Sequence, residues 1–564
     1  MIWINKDIMG YKTIENRLSL KQRNKTKAVI LVLIVTLVFN GAFLTGCGEE
    51  GVILGERAAP TGITEVVERV IYLPMEKVRT LNPMISRDED AYIISKLVYD
   101  SLFELDHYMM PQKRLVESFY FSDDRMSLHI VLREEIFWHD GREFTATDVR
   151  FSIENYINLG NGTIFADYVA NIRAVTVPRG ETHSLTISFR NPYNVGVENL
   201  VFPILPMHQF PRSGDLHRNI ETFEPLGTGP YRVVSFNSFD RLILEPNPYY
   251  HGTIPRNNIE FVIFPNKDDA INLVNVGRIS LFISDDIERE TIVHGMNANA
   301  VNFVSNRAEF VAFNINHELF RDVMIRQAVA YAIDAREILE TAYLNSGVLS
   351  NTIFFPFFFG NENYEELFPY DLERAAELLE QAGLRMVEDS YYLHDRVGNE
   401  VRIGILVNSN NSARMAAAQI IKNALDNLSL YSYIIYVDWE EYIARINAGD
   451  FDLYIGGYAF NERFDLRFLL HSRHNNRIGF SNSEVDRLLD EMQSGLSNEE
   501  KAQVFQELNA ILQQEVPIFC LLYKTFGAIS SVSLRGDINP RFNHVFYNPG
   551  EWVNVYAISA VVAE

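Results

Sequence analysis

The distribution of apolar and polar positions changes character near residue 66. Before it lies one long apolar run, Ala28 to Leu44, interrupted at Asn40; after it, short β-branched and aromatic runs alternate with stretches whose apolar residues recur at helical spacing. Leu128–Leu132, Phe261–Phe264 and Val401–Val407 predict strands, because such side chains suit a pleated, half-buried surface. Asp322 precedes Ile325, Ala328, Val329, Ala332 and Ile333, a stripe at i, i+3, i+4, i+7 and i+8 that predicts a capped helix with one buried face. Asp371 predicts a second helix with Leu372, Ala375, Ala376 and Leu379 inward and Gly383 as its stop. Ser483 and Asp486 predict a capping box ahead of Val485, Leu488, Leu489 and Met492. All of these are core-forming faces. No Gly/Ser linker interrupts them, so the body reads as one continuous α/β assembly.

Composition narrows the function classes. The 564 residues are 47% hydrophobic and 22% charged, enough for large cores and two or more domains. Net charge is -24, and without the first 46 residues 43 basic and 72 acidic residues remain, a net charge of -29. A nucleic-acid partner is excluded on this balance, since phosphate binding needs a basic surface.

Residues 1–46 read as a targeting segment: basic Lys21, Arg23, Lys25 and Lys27, the apolar run, then Leu44-Thr45-Gly46-Cys47. That tetrapeptide resembles the lipobox of bacterial lipoproteins, which implies cleavage before Cys47 and a diacylglycerol on its thiol. Two acyl chains anchor firmly, at about 0.8 kcal/mol per buried methylene. A transmembrane helix is the weaker alternative, because 17 residues span about 26 Å of a roughly 30 Å core and Asn40 interrupts the run. Residues 47–64 are small, polar and Gly/Pro-containing, as a flexible tether would be. Cys520 is the other cysteine, so stability has to come from packing.

Catalytic signatures are missing: there is no nucleophile elbow, metalloprotease His pair, phosphate loop or dinucleotide fingerprint. Gly227-Thr228-Gly229-Pro230 lacks the Lys-Ser/Thr of a phosphate loop, and its Pro removes a donor. His471 and His474 could share a helical face as metal ligands, but with no third ligand nearby in sequence they read as solvated surface residues.

A series of ordered blocks resembles the family 5 extracellular solute-binding proteins, which include oligopeptide-, dipeptide- and nickel-binding proteins. The blocks are Thr80–Pro83, Val98–Leu105, Leu132–Gly141 continuing through Phe144–Val149, Pro206–His208, Pro225–Tyr231 and Asn247–Tyr250. They continue with Phe313-Asn314, Arg326–Ala328, Tyr331–Asp334, Ala375–Gly383, Gly449–Leu453, Ser481-Asn482 and Val485-Asp486. Most of these residues are physically scaffold. Asp140-Gly141 suits a tight turn, Thr145–Asp148 a capping box, and Gly227 and Gly229 positive φ or close strand approach.

The resemblance implies a two-lobed α/β fold of the periplasmic-binding-protein type II class, with an extra domain in the N-terminal lobe. It would place the N-terminal lobe at 65–310, the other lobe at 311–515, and a returning segment at 516–564, with hinges near 311–314 and 516–518. In peptide-binding members an Asp soon after the Asp-Leu strand pairs with the ligand's ammonium. Laid on Asp452–Tyr458 without gaps, that pattern puts Asn461 at the anchor, so Glu462 or Asp465 would have to supply the charge, or the ligand lacks a free α-amine. Tyr458 occupies the family's aromatic position, Trp439 and Tyr442 are further candidates on the same lobe, and Asn314 sits at the hinge. For each aromatic, ordinary packing is equally open. Five phenylalanines in Phe354–Phe359 cannot all point inward from one short loop, so they wall a pocket, contact the other lobe, or pack the core.

The expected protein is therefore not an enzyme. It is an extracytoplasmic, lipid-anchored, monomeric substrate-binding component that captures peptides and serves an ABC permease and ATPase, with no cofactor or metal. The alternatives are nickel or metal-chelate capture, which needs His471, His474 or His317 to converge in the cleft, and a peptide-sensing lipoprotein.

Overall fold

The structure is a computed structural model and describes residues 63–210, 223–350, 352–360 and 367–559. The chain divides into a terminal unit, Met1–Thr64 with Ala557–Glu564, and a body, Glu65–Tyr556. The expected signal segment, Cys47 and nearly all of the tether lie outside the described residues. The tether's last two residues already belong to a strand, Ile63–Glu68.

The body opens with β1 (Val70–Glu76) and α1 (Glu89–Val98). An antiparallel sheet follows, built from β2 (Val116–Phe121), β3 (Ser127–Leu132), β4 (Ile172–Thr176) and β5 (Ser184–Phe189) in the order β2-β3-β5-β4. Between β3 and β4 run α2 (Ala146–Leu159) and the single turn α3 (Ala166–Val169). The predicted local signals hold here. Gly141 adopts φ 81° in the turn after Trp138, and the Thr145 N–H donates to the Asp148 carboxylate at 2.9 Å to cap α2.

Strands β6 (Tyr231–Asn237), β7 (Arg241–Pro246) and β8 (Asn258–Phe264) return to β1 in the order β1-β8-β7-β6. Parallel pairing of β8 with β1 sets Ile259 beside Ile71 and Phe261 beside Leu73, all 0–1% exposed. Of the two explanations for Gly227 and Gly229, close approach is the one realised. A Cβ at Gly227 would lie 1.9 Å from the Val98 carbonyl oxygen, and one at Gly229 would lie 2.7 Å from the Val98 carbonyl carbon.

A seven-stranded sheet is formed by β9 (Leu281–Ser284), β10 (Ala298–Phe313), β11 (Gly347–Leu349), β12 (Arg402–Asn408), β13 (Tyr431–Val437), β14 (Leu453–Ala459) and β15 (Ile518–Ser531). Its order is β9-β15-β10-β14-β12-β13, with β11 on β15. The long antiparallel pair β10 and β15 runs from Ala298↔Ser531 to Ala312↔Ile518, with register breaks between Val304 and Ala308 and between Glu309 and Phe310. The molecule is two-lobed: a second core, from Val311 through Ile455 to Leu522, gathers on β12 and the helices around it.

Those helices are α4 (Val323–Ala332), α5 (Leu372–Gln381) and α6 (Ser412–Asn427), whereas α7 (Trp439–Ala448), α8 (Ser483–Met492) and α9 (Asn498–Glu515) bury their apolar residues in the larger core. Asp322 and Asp371 cap α4 and α5 as predicted, through Met324 N–H and Arg374 N–H, each at 2.9 Å. Two details differ. On α5 the inward position is Leu378, and Ala376 is exposed, because one residue is a 100° step off the Ala375–Leu378–Leu379 face. On α8 the cap is Asn482, one residue earlier than expected, accepting from Glu484 and Val485 N–H. Asp486 instead accepts the Ser472 N–H at 2.9 Å.

Candidate functional site

The loop that follows β14 laces itself with its own side chains. Asn461 Oδ1 accepts the Arg463 N–H and Asp465 Oδ1 accepts the Arg467 N–H, both at 3.1 Å, the two-residue reach that makes Asn and Asp turn formers. Phe464 between them sits at φ 45° and is buried. The result leaves Asn461 exposed and directs Glu462 across to the other lobe.

There Glu462 meets side chains from two elements of the N-terminal lobe. The Tyr168 hydroxyl on α3 donates to Oε2 at 2.7 Å, the Tyr92 hydroxyl on α1 donates to Oε1, and Lys96 Nζ lies 3.7 Å away. Burial alone would raise the Glu462 carboxyl; Lys96 and the two phenols outweigh it and hold it below the usual range. Asp465 is likewise saturated within its own loop, by Arg467 at 2.6 Å and Arg463 at 3.5 Å. Burial opposes its charge, but the Arg467 hydrogen bonds and charge prevail and keep its pKa low. Both guanidinium groups also donate to Asn194 Oδ1 of the N-terminal lobe, at 3.0 and 2.7 Å. A second ion pair between distant segments joins Lys501 on α9 to Glu198 at 2.6 Å, both side chains buried.

Tyr458, at the end of β14, packs its ring 4.5 Å from Phe468 and 4.9 Å from Phe460. Its phenol is raised by burial first and then by the charges of Asp167 and Asp465. Tyr458, Asn461 and Asp465 are therefore brought together at the cleft. Trp439 and Tyr442 stack on each other at 5.5 Å in a different cluster, with Tyr454 and Phe451. Tyr442 is 2% exposed and its hydroxyl is committed to the Ile455 carbonyl at 2.8 Å. Asn314 is scaffold too, its Nδ2 donating to Gly449 and Phe451 carbonyls at 3.1 and 2.7 Å.

The histidine expectation needs correction. His471 is 4% exposed, not solvated, and the segment after it is turn, not helix. A third donor does exist: ligand atoms of His471, His474 and Asp490 all lie within 4.8 Å of one another. Their hydrogen bonding works against a metal, because His471 Nδ1 accepts the Arg473 N–H at 3.0 Å, which leaves the ring proton on Nε2, 3.5 Å from Asp490. Arg467 adds positive charge 3.6 Å from the same carboxylate. His317 is held elsewhere, 3.6 Å from Asp452.

The phenylalanine run packs core. Phe354, Phe355 and Phe358 are 2–8% exposed, and Phe355 contacts Phe464 of the cleft loop at 5.7 Å, Tyr523 on β15 at 5.9 Å and Phe542 of the returning segment at 5.3 Å.

The N-terminal half of the cleft escaped sequence reasoning. Tyr92, Lys96, Tyr168, Asn194 and Glu198 come from three separate segments and carry no motif of their own. Asn194 gives one local hint, a turn-forming residue that sits at φ 56°.

Residues 110–480 match the bacterial extracellular solute-binding proteins, family 5 Middle. The chain belongs to this family. It is similar to the oligopeptide-binding protein AppA of Bacillus subtilis, 20% identical over 94% of this chain and 99% of that protein. It is also similar to heme-binding protein A of Haemophilus influenzae, 22% identical over 80% and 86%. Among solved structures, NikZ from Campylobacter jejuni in complex with Ni(L-His) superposes with a TM-score of 0.62 at 22% identity, covering 86% of this chain and 99% of that one. As a family 5 member the chain is a solute-binding protein of the ABC-importer type and not an enzyme. Among the described residues no helix is long and apolar enough to cross a membrane.

Proposed function

We propose that this chain is the lipid-anchored substrate-binding protein of an ABC importer, capturing extracellular peptides between its lobes and delivering them to a permease. The observation that carries the capture step is the loop after β14. It presents exposed Asn461 and half-buried Tyr458, and, beside the packing of Phe464 on Phe542, its ties to Tyr92, Tyr168, Lys96 and Asn194 are polar contacts that water can replace. Such contacts break and re-form at little net cost, as opening and closing require. Rotation about the strand crossings near residues 311–314 and 516–518 would open the cleft, and a ligand that bridges the lobes would shift the population toward the closed form.

A thermal-shift screen of the body, begun just after Cys47, tests this. The probes are mixed peptides of two to eight residues, N-acetylated peptides, sugars and nickel. A ligand at a hundred times its dissociation constant adds about 2.7 kcal/mol. Stabilisation by peptides supports the reading; silence from every peptide beside a response to nickel or sugar sinks it. Nickel is the second reading: the His471, His474 and Asp490 donor atoms lie within 4.8 Å of one another, and a metal there would have to displace the Arg473 N–H from His471 Nδ1, so a nickel response should disappear in His474→Ala. For the anchor, Cys47→Ser should move the full-length protein from the membrane fraction to the soluble one, and retention at the membrane would reject lipidation at that thiol.

A further inference from the structure

Tyr92 and Lys96 stand four residues apart on one face of α1, and Tyr168 stands on α3. All three converge on one carboxylate, that of Glu462. The two hydroxyls donate to one oxygen each, Tyr92 to Oε1 and Tyr168 to Oε2, and the ammonium lies 3.7 Å from Oε1. Among the described residues no other carboxylate pairs with any of them. The donors do not depend on Glu462 for their placing. Phe165, 3% exposed, sets its ring 6.3 Å from Tyr92 and 5.6 Å from Tyr168, and it is held in turn by Tyr156 at 5.4 Å and Phe202 at 6.1 Å. Lys96 rests 4.9 Å over the Tyr92 ring. The donors are thus fixed by core packing, whereas Glu462 arrives on a loop 294 residues further along the chain than Tyr168.

Resting on the solute-binding reading above, we propose that Tyr92, Lys96 and Tyr168 form a binding site for a carboxylate, and that the chain's own Glu462 fills it as an internal ligand. A solute carboxylate and the β14 loop then exclude each other at these three donors. Donors fixed in advance around both oxygens are the chemistry that recognises a carboxylate, through charge-assisted hydrogen bonds about twice as strong as neutral ones. Glu462 has the advantage of its tether, since a group held nearby by the fold competes at a high effective concentration. It works as a latch. Seated, it ties the loop to α1 and α3; displaced, it releases the loop at that point and leaves Phe464 on Phe542 as the apolar hold.

Calorimetric titration of the full-length chain in detergent tests this, with sodium propionate, N-acetylglycine and the neutral N-acetylglycinamide as probes at constant ionic strength. Glu462→Ala removes the internal ligand and leaves its donors. Glu462→Gln keeps the shape without the charge and serves if the first variant does not fold. Either variant should bind the two carboxylates at least about tenfold more tightly than the parent, in which Glu462 competes. It should also prefer N-acetylglycine over its amide by about tenfold, the difference between charge-assisted and neutral hydrogen bonds. Propionate should raise the melting temperature of Glu462→Ala toward that of the parent where chloride does not, a rescue that a purely structural role for Glu462 would not give. Adding Lys96→Met or Tyr168→Phe should remove the carboxylate binding. No propionate binding by the folded variants, equal binding by the parent, or binding that survives Lys96→Met overturns the site. Its failure with peptides still bound leaves the solute-binding reading standing, and silence toward peptides with propionate bound in Glu462→Ala overturns only the peptide reading.

Discussion

Replacing Lys501 by Met isolates what a buried cross-lobe ion pair contributes to closure. Lys501 and Glu198 meet at 2.6 Å with side chains only 8% and 10% exposed. With the ammonium gone and the lobes together, Glu198 becomes a buried carboxylate without a counter-charge, which costs about 3–5 kcal/mol. The site has little room to relax: Glu198 Oε2 already lacks a hydrogen-bond partner, and a Cβ at Gly196 would lie 2.0 Å from Oε1. Opening the lobes hydrates the carboxylate and removes the cost. The variant should therefore shift its closed-to-open ratio by about a thousandfold for roughly 4 kcal/mol. The radius of gyration from small-angle X-ray scattering should grow, and affinity for a peptide identified in the screen should fall toward that factor. The double replacement Glu198→Gln with Lys501→Met should recover most of the loss, since neither partner is then left charged. An affinity within threefold of the parent with unchanged scattering in Lys501→Met would refute the reasoning.

Gly227→Ala should destabilise the body by about 1–3 kcal/mol or more, because its Cβ collides with the Val98 carbonyl; urea unfolding measures the loss, and the fraction that folds should keep parental affinity. Asn314→Ala strips a donor from the buried Phe451 carbonyl and the part-buried Gly449 carbonyl and should cost about 1–3 kcal/mol of stability without altering the ligand titration. Low pH should act through His139, whose pKa burial pushes down to about 4. Its Nδ1 accepts the Gly227 N–H, so a second ring proton has no place to go. The neutral ring's contribution is complete above the unfolded value of about 6.5 and is lost as pH falls from there toward about 4, at roughly 1.4 kcal/mol per unit. Urea midpoints at pH 7 and 4.5 should differ less in His139→Gln than in the parent, and equal slopes would discount His139.

Much of the scaffold was legible because the interactions that specify it are local. Asp322, Asp371 and Thr145 cap helices through N–H groups two or three residues on, and Gly141 takes a positive φ inside a four-residue turn; such signals lie within one window of sequence. The misplaced cap at Asn482 was an error of one residue between equally good turn formers.

What the sequence by itself determined was therefore the alternation of strands and helices, their caps, the buried faces and the neutral residue at position 461. Tertiary structure alone decided what the cleft can bind with. Tyr168 reaches Glu462 across 294 residues and Lys501 reaches Glu198 across 303, and packing of the lobes, not spacing in the chain, chose those partners. The same tertiary packing buried His471 between Asp486 and Asp490 and folded the phenylalanine run onto Phe464 and Phe542. Charge is assigned by neighbours in space, because electrostatic and hydrogen-bond energies depend on separation in ångströms and on burial, and neither quantity is written along the chain.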